Sequence, residues 1–157
     1  MDKETKKEGF IFLDGFDFIQ GPVISLKIFE KYSQEGKGLP FYWYSIVLTK
    51  TLKEVGKVSL KIGAGLQAYW GGNVGYEVDE EFRGHHYAYE AVRLLFPLAR
   101  LHGMTSLYFS CDEDNCASFK TIEKLGGKLV TIGFPDKEYY AYSPDMARQR
   151  VYKIDLN

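Results

Sequence analysis

One short segment, Arg83-Gly84-His85-His86-Tyr87-Ala88, has the setting of an anion-binding loop. It lies between a strand-like run, Asn73 to Asp79, and a helical run that starts near Tyr87. The first backbone N–H groups of a helix have no intrahelical partner, and the helix dipole adds positive potential at the same end. The segment therefore predicts a site where main-chain N–H groups hold an anion, for which phosphate is the usual occupant.

The sequence of this segment excludes two common phosphate loops. It contains neither G-x-x-x-x-G-K-[ST] nor G-x-G-x-x-G with a following acidic residue. It instead resembles R-x-x-G-x-[GA], the loop with which the GNAT acyltransferases bind the pyrophosphate of acetyl-CoA. Arg83 and Ala88 fit the first and last places, and His86 stands where that family usually has glycine. The Cβ of His86 would be tolerated there if the backbone is already helical.

Two further stretches carry the same resemblance. Gly75-Tyr76-Glu77-Val78, followed by the loop and by Tyr87-Ala88-x-Glu90-Ala91, looks like the core strand, loop and helix of the family. Asn115-x-x-Ser118, followed by Glu123-Lys124-Leu125-Gly126-Gly127, looks like its later helix and that helix's ending. One strand–helix–strand unit separates the two motifs, as in the family, and the match covers roughly residues 55–133.

The resemblance implies an acetyl-CoA site in a wedge where the fourth and fifth strands splay apart. The pantetheine arm would pair with the backbone near Val78, and Asn115 and Ser118 would contact the arm or the sulfur. An amine would attack the thioester directly, with no metal and no covalent enzyme intermediate. Adjacent histidines also lack the spacing of a metal site such as H-E-x-x-H. The pyrophosphate would be held by the loop residues Arg83, Gly84, His85, His86, Tyr87 and Ala88.

Direct transfer needs a group that takes the amine proton and a group that gives a proton to the departing thiolate. Glu77 is the candidate base, and its alternative role is that of a solvated strand carboxylate. Ser118 is a candidate to hydrogen-bond the sulfur, and its alternative role is the N3 position of a helix that Asn115 caps.

The usual thiolate acid is missing from the sequence. Many members of the family have a tyrosine at the position of Ile122. Either Ser118, water or a tyrosine from Tyr139, Tyr140 or Tyr142 replaces it, or the thiolate leaves without help. These tyrosines lie in the predicted loop between the last two strands, which often lines the acceptor site in relatives.

Strand and helix periods divide the chain at the loop. Val23–Tyr32 also fits one face of a helix, but its alternation favours a strand. Before the loop, aromatic and β-branched runs predict strands at Val23–Tyr32, Phe41–Lys50, Val55–Ile62 and Asn73–Asp79, with Gly63–Gly72 as a hairpin connection. After it, the pattern predicts helices at about 86–102 and 115–125 and strands at Leu107–Cys111, Lys128–Gly133 and Arg150–Leu156.

A strand, a long helix and a strand form a right-handed crossover, so the two strands should be parallel. With the resemblance, this predicts an α/β fold of mixed α+β character, whose twisted mixed sheet is splayed between strands 4 and 5 and flanked by the two helices. We expect residues 1–9 to be a polar tail and residues 10–157 to form a single domain. Residues 1–50 do not show the two helices that usually follow the first strand of the family and commonly shape its acceptor side.

Composition argues against several other classes of protein. Of the 157 residues, 45% are hydrophobic and 26% are charged, which indicates a globular chain. The net charge of −1 argues against a nucleic-acid surface, although Tyr42-Trp43-Tyr44 would suit an RNA-binding sheet. No apolar run approaches the roughly 20 residues of a membrane helix, and the charged start is not a signal peptide. Two closely spaced cysteines, Cys111 and Cys116, suggest a reducing, cytoplasmic setting.

The sequence thus predicts an acetyl-CoA-dependent N-acetyltransferase that moves an acetyl group from the CoA thioester to a primary amine. The alternative is a non-catalytic protein of the same fold that binds or senses acyl-CoA, because the usual tyrosine and loop glycine are replaced. The acceptor would be a small-molecule or protein amine, with no nucleic-acid or membrane partner. An exposed aromatic sheet edge would suit a homodimer. The sequence names neither the acceptor nor the oligomeric state.

Overall fold

The computed structural model describes residues 10–33 and 38–157. The predicted polar tail, residues 1–9, and residues 34–37 lie outside the described residues. A 3₁₀ turn, Glu80–Phe82, precedes the loop that leads into the second helix. The strands are β1 (Phe18–Ile19), β2 (Ile24–Tyr32), β3 (Phe41–Leu48), β4 (Glu54–Lys61), β5 (Val74–Val78), β6 (Ser106–Asp112), β7 (Lys128–Gly133) and β8 (Gln149–Asp155), and the helices are α1 (Leu66–Gly71), α2 (Tyr87–Leu101) and α3 (Cys116–Lys124).

The strands form two antiparallel sheets. The first has the order β1-β2-β3-β4-β5, so that consecutive strands pair with one another. The second has the order β6-β8-β7, because the last strand inserts between the two that precede it. This arrangement of helices and antiparallel sheets confirms the predicted fold class.

The two sheets meet where the chain enters β5, which is the fourth strand of the prediction. The backbone N–H of Asn73 donates to the carbonyl of Tyr108 in β6 at 2.7 Å. The Asn73 side chain in turn accepts from the N–H of Tyr108 at 2.9 Å. Past this point β5 and β6 belong to different sheets, so the predicted parallel pairing within one mixed sheet is wrong. The predicted splay between these two strands is present, because the buried Asn73 amide joins them at one end only.

Helix α2 connects the sheets and supplies much of the core. Its buried side chains recur at helical spacing and are Ala91, Val92, Leu95, Leu98 and Ala99. They pack with the inward side chains of both sheets, such as Leu60 and Phe109. The amphipathic pattern therefore fixes which side of α2 faces the sheets, and it places the N-terminus of α2 beside the end of β5.

Two ambiguous segments are resolved by the structure. The run that fitted either a strand or a helix is strand β2, whose alternation was the better guide. The predicted hairpin connection Gly63–Gly72 does join the antiparallel strands β4 and β5, but it contains the short helix α1, which the sequence did not predict. Six residues are too few to show a helical period, and the helix is held by tertiary contacts. Ala68 is fully buried, and the Tyr69 ring lies 5.2 Å from the ring of Tyr108.

The aromatic run in β3 serves the core. Tyr42 and Tyr44 are fully buried, and their hydroxyls bond His102 and the carbonyl of Phe16. Because buried rings cannot stack on bases, this run does not form the platform of an RNA-binding sheet. Among residues 10–33 and 38–157, no helix has the length and apolarity that crossing a membrane requires.

Candidate active site

A cleft of about 540 Å³ opens where β5 and β6 separate. Its walls are the end of β5, the loop before α2, and the first turns of α2 and α3. The lining residues are Tyr76, Glu77, Val78, Phe82, Arg83, Gly84, His86, Tyr87, Ala88, Asn115, Ala117, Ser118 and Thr121. The structure thus brings the two sequence motifs together, since every predicted site residue except His85 lines this cleft.

The loop between β5 and α2 presents free main-chain donors. Within the described part of the chain, nothing accepts a hydrogen bond from the backbone N–H groups of residues 84–88. Gly84 has a φ of 91°, which glycine adopts without strain. The Arg83 side chain donates from Nε to the Val78 carbonyl at 3.0 Å, so it ties the loop to β5. The geometry therefore suits an anion held by the backbone at the start of α2.

The backbone at His86 does not meet the condition under which its Cβ would be tolerated. A right-handed helical conformation was that condition, but His86 has φ 64° and ψ 26°, which is the left-handed region. Glycine is usual at this place in the family, and the positive φ supplies the physical reason. Histidine tolerates the region better than most residues, although it is still strained there.

The two loop histidines point to different surroundings. The His85 ring stacks on Tyr87 with 5.2 Å between ring centroids, away from the cleft. The His86 Nδ1 lies 3.4 Å from the Nζ of Lys124 at the end of α3. No group of three or more His, Cys, Asp or Glu side chains that could hold a metal occurs in residues 10–33 and 38–157. The metal-free reaction remains a prediction.

The opposite wall is the N-terminus of α3. The Asn115 side chain accepts a hydrogen bond from the N–H of Ser118 at 3.2 Å, so Asn115 is the N-cap and Ser118 is N3. This capping role does not prevent either side chain from facing the cleft, and both line it. Asn115 and Ser118 can therefore cap the helix and contact a ligand at the same time.

Tyr76 is a cleft residue that the sequence did not single out. Its hydroxyl lies 3.1 Å from the Ser118 Oγ and 3.2 Å from the Ser118 carbonyl oxygen. Burial raises the pKa of Tyr76 above its usual value of 10, although the hydrogen bond with Ser118 partly opposes this. The strand period could have indicated that Tyr76 points inward, because it shares a face of β5 with Val74 and Val78, which contact the core.

Glu77 lies on the opposite face of β5 from Tyr76, because successive strand side chains alternate. Its side chain is exposed, and Lys57 lies directly across from it on β4. Lys57 is itself bonded to Glu54 at 2.7 Å. Glu77 therefore stands at the edge of the cleft, on the side away from α3.

The other candidates for a thiolate acid lie elsewhere. Ile122 is 1% exposed and belongs to the core, so the usual acid position is filled by an apolar side chain. The loop after β7 instead covers α1: the N–H of Tyr140 donates to Gln67 at 3.2 Å. None of Tyr139, Tyr140 and Tyr142 lines the cleft.

Comparison with known proteins was made against families, curated proteins and solved structures. Residues 23–128 match the family described as acetyltransferase (GNAT) domain. The chain belongs to the GNAT acetyltransferase family. This makes it an acyltransferase, in preference to the binding-only alternative, and it supports acetyl transfer from acetyl-CoA as the reaction in general terms. None of the curated proteins matches the chain.

Solved structures with the same fold include GNAT acetyltransferases at low sequence identity. A candidate ribosomal-protein-serine acetyltransferase from Vibrio cholerae has a TM-score of 0.65 at 16% identity, covering 92% of this chain and 99% of its own. RimL, the ribosomal L7/L12 α-N-protein acetyltransferase, has a TM-score of 0.65 at 15% identity, and the match covers 88% of this chain and 93% of RimL. The microcin C7 self-immunity acetyltransferase MccE, solved with acetyl-CoA and AMP, has a TM-score of 0.56 at 20% identity. That match covers 73% of this chain and 61% of the MccE chain.

Proposed function

We propose that this protein transfers the acetyl group of acetyl-CoA directly to a primary amine in the cleft between β5 and β6. The observation that carries the proposal is the convergence of free backbone N–H groups of residues 84–88 with Asn115 and Ser118 around one cleft. The N–H groups suit the phosphates of an acetyl donor such as acetyl-CoA, and the Asn115 amide and Ser118 hydroxyl suit hydrogen bonds to its pantetheine arm. Solved structures of the same fold bind acetyl-CoA or CoA.

In this arrangement the loop residues Arg83 to Ala88 hold the pyrophosphate mainly through main-chain N–H groups. Arg83 contributes by fixing the loop to Val78, because its Nε already donates to that carbonyl. The pantetheine arm runs beside β5, whose outer edge pairs with no other strand of residues 10–33 and 38–157 past the junction at Asn73. In this proposal the thioester lies near Ser118, deep in the cleft.

The proposed chemistry is a single displacement. The amine nitrogen attacks the thioester carbon, the carbon–sulfur bond breaks, and no enzyme group becomes acylated. Glu77 takes the proton of the amine, directly or through water, from the exposed side of β5. Such a base contributes when it can reach the nucleophile while the amine is aligned with the carbonyl.

The acceptor is proposed to be a protein or small-molecule amine. A peptide with an N-terminal serine comes first among probes, because a solved relative of the fold modifies the N-terminal serine of ribosomal protein L7/L12 in Salmonella typhimurium. A lysine peptide, a polyamine, an amino sugar and an aminoglycoside complete the set. A cytoplasmic location and a homodimer remain predictions.

The proposal is tested by release of CoA thiol from acetyl-CoA in the presence of each amine, with mass spectrometry of the acceptor. We expect one class of amine to gain a single acetyl group in step with thiol release. Acetyl-CoA that binds by calorimetry but is not consumed with any amine would favour the acyl-CoA-binding alternative. Failure of acetyl-CoA to bind at all would overturn the proposal.

A further inference from the structure

The cleft contains a pair of hydroxyl groups, one from each of the two sequence motifs, whose contact the sequence did not predict. The Tyr76 hydroxyl from β5 reaches across the cleft and lies 3.1 Å from the Ser118 Oγ on α3. Both side chains line the cleft, and Asn115 fixes the position of Ser118 through the helix cap. Two separate elements therefore converge to place these hydroxyls together where the thioester is proposed to lie.

Two other residues with hydroxyl groups, Thr121 and Tyr87, line the cleft. Thr121 donates from its Oγ1 to the Ala117 carbonyl at 3.1 Å, as a helical threonine commonly does, and it also lies beside the Tyr76 hydroxyl. Tyr87 belongs to the phosphate end of the cleft, where its ring stacks on His85. Of the described residues that line the cleft, Tyr76 and Ser118 are thus the hydroxyls placed to meet the sulfur.

Strand alternation separates the two proton-handling positions. Glu77 points to the exposed face of β5, while Tyr76 points to the face that meets α3. A displacement needs a proton acceptor at the attacking nitrogen and a proton donor at the departing sulfur. Strand β5 can serve both the attacking nitrogen and the departing sulfur, because its consecutive side chains reach opposite sides of the strand.

We propose that Tyr76 and Ser118 act in series as the proton donor of the departing CoA thiolate: Ser118 protonates the sulfur, and Tyr76 replaces the proton of Ser118. This inference rests on the proposed function and adds the group that replaces the tyrosine missing at Ile122. As the carbon–sulfur bond breaks, the sulfur takes the hydroxyl proton of Ser118, and the Ser118 oxygen takes the hydroxyl proton of Tyr76. Water entering the open cleft returns a proton to the Tyr76 oxygen. The buried hydroxyl is suited to this role because it stays protonated at neutral pH.

The first test needs no acceptor and compares binding of CoA with binding of desulfo-CoA, which lacks the sulfur. By calorimetry near pH 9, wild type should prefer CoA, since the hydroxyl pair donates to the thiolate. Tyr76→Phe and Ser118→Ala should each reduce that preference by about tenfold, as expected for a lost hydrogen bond to a charged group. Failure of wild type to bind either ligand would overturn the proposed function. A preference for CoA that is unchanged in Tyr76→Phe would overturn only the role of Tyr76.

The second test is kinetic and uses the amine found in the acceptor screen. Tyr76→Phe should lower kcat about a hundredfold with little change in the KM for acetyl-CoA. We expect kcat of wild type to decline at alkaline pH, where Tyr76 loses its proton, and this decline should be absent in Tyr76→Phe. Tyr76→Phe combined with Ser118→Ala should be no slower than Ser118→Ala alone, because the proton passes through Ser118. A combined variant that is a further hundredfold slower would overturn this path.

Tyr152→Phe is the matched control. Its hydroxyl is also buried against α3, where it donates to Glu123 at 2.8 Å, but it lies outside the cleft. This variant should keep the wild-type ligand preference and pH profile. Equal effects of Tyr152→Phe and Tyr76→Phe would show that Tyr76 only anchors α3, and would overturn the proposal.

Discussion

At the scale of single residues, His86 carries a conformational cost at the entrance to α2. Its φ of 64° is held by the surrounding loop and helix rather than by its own side chain, which makes no cap hydrogen bond. A left-handed conformation costs a non-glycine residue about 1–2 kcal/mol. The loop therefore keeps a backbone shape suited to an anion even without the glycine that this shape favours.

We expect His86→Gly to raise the free energy of unfolding by about 0.5–1 kcal/mol. Relief of the left-handed strain should exceed the extra chain entropy that glycine brings to the unfolded state. Urea denaturation of wild type and variant measures the difference. His85→Gly is the control and should not stabilise, because His85 has no positive φ. A His86→Gly protein no more stable than wild type would show that the loop does not strain His86.

The residue expected to take the amine proton is Glu77. Glu77→Gln should lower kcat about a hundredfold or more at neutral pH, which is the usual contribution of a general base. The defect should shrink at high pH, where the amine arrives already deprotonated, and acetyl-CoA affinity should barely change. Glu30→Gln removes an exposed carboxylate from β2 and should have no effect. A Glu77→Gln enzyme with full activity at every pH would make Glu77 an ordinary surface carboxylate.

At the scale of elements, the junction of the loop and helix α2 is the part that we propose binds the pyrophosphate. Its donors come from the backbone, so changes in backbone shape should matter more than the loss of a loop side chain. Gly84→Pro removes one N–H and forces φ from 91° to near −65°. Acetyl-CoA affinity should fall by at least about tenfold, and Arg83→Ala should lower it less.

Calorimetry with acetyl-CoA measures both variants. Gly15→Pro is a matched control, because Gly15 has a similar φ of 86° and, like Gly84, no atom near the position of a Cβ. It lies outside the cleft and should bind acetyl-CoA as wild type does. Wild-type affinity in Gly84→Pro would place the pyrophosphate somewhere other than this loop.

At the scale of the whole molecule, His102 links three distant parts of the chain. It follows α2, its Nε2 lies 2.6 Å from the Tyr42 hydroxyl of β3, and Phe10 stacks on its ring at 5.0 Å. The same hydroxyl accepts a hydrogen bond from the N–H of Leu13. Burial lowers the pKa of His102 below its usual value of 6.5.

Because the folded protein binds this proton less readily than the unfolded chain, acid should destabilise it. The free energy of unfolding should be highest above about pH 6.5, and it should fall as the pH decreases through that value. Urea denaturation at pH 7.5 and 5.5 should show this fall. The decrease in the free energy of unfolding between these two pH values should be smaller in His102→Gln, because glutamine cannot titrate. It should be the same as in wild type in His85→Gln, because the His85 ring is exposed. Equal pH dependence in all three proteins would mean that His102 does not control acid stability.

The sequence by itself determined strands β2 to β8, helices α2 and α3, and most of the residues that line the cleft, whereas the short strand β1 was not predicted. Periods of apolar residues predict α2 and β2 because burial of one face imposes them locally. The loop and the cap at Asn115 were equally predictable, since a helix N-terminus creates the same unpaired N–H groups wherever it occurs. These features depend on residues that are close together in the chain.

Tertiary structure decided what depends on residues far apart. Asn73 joins β5 to β6 at one end only, and no local pattern reveals that the strands then enter different sheets. Helix α1 forms because Ala68 and Tyr69 pack against β6, which follows much later in the chain. The contact of Tyr76 with Ser118 is of the same kind. Ser118 was a candidate from its own motif and Tyr76 was not, and only packing of α3 against β5 brings the two hydroxyls together.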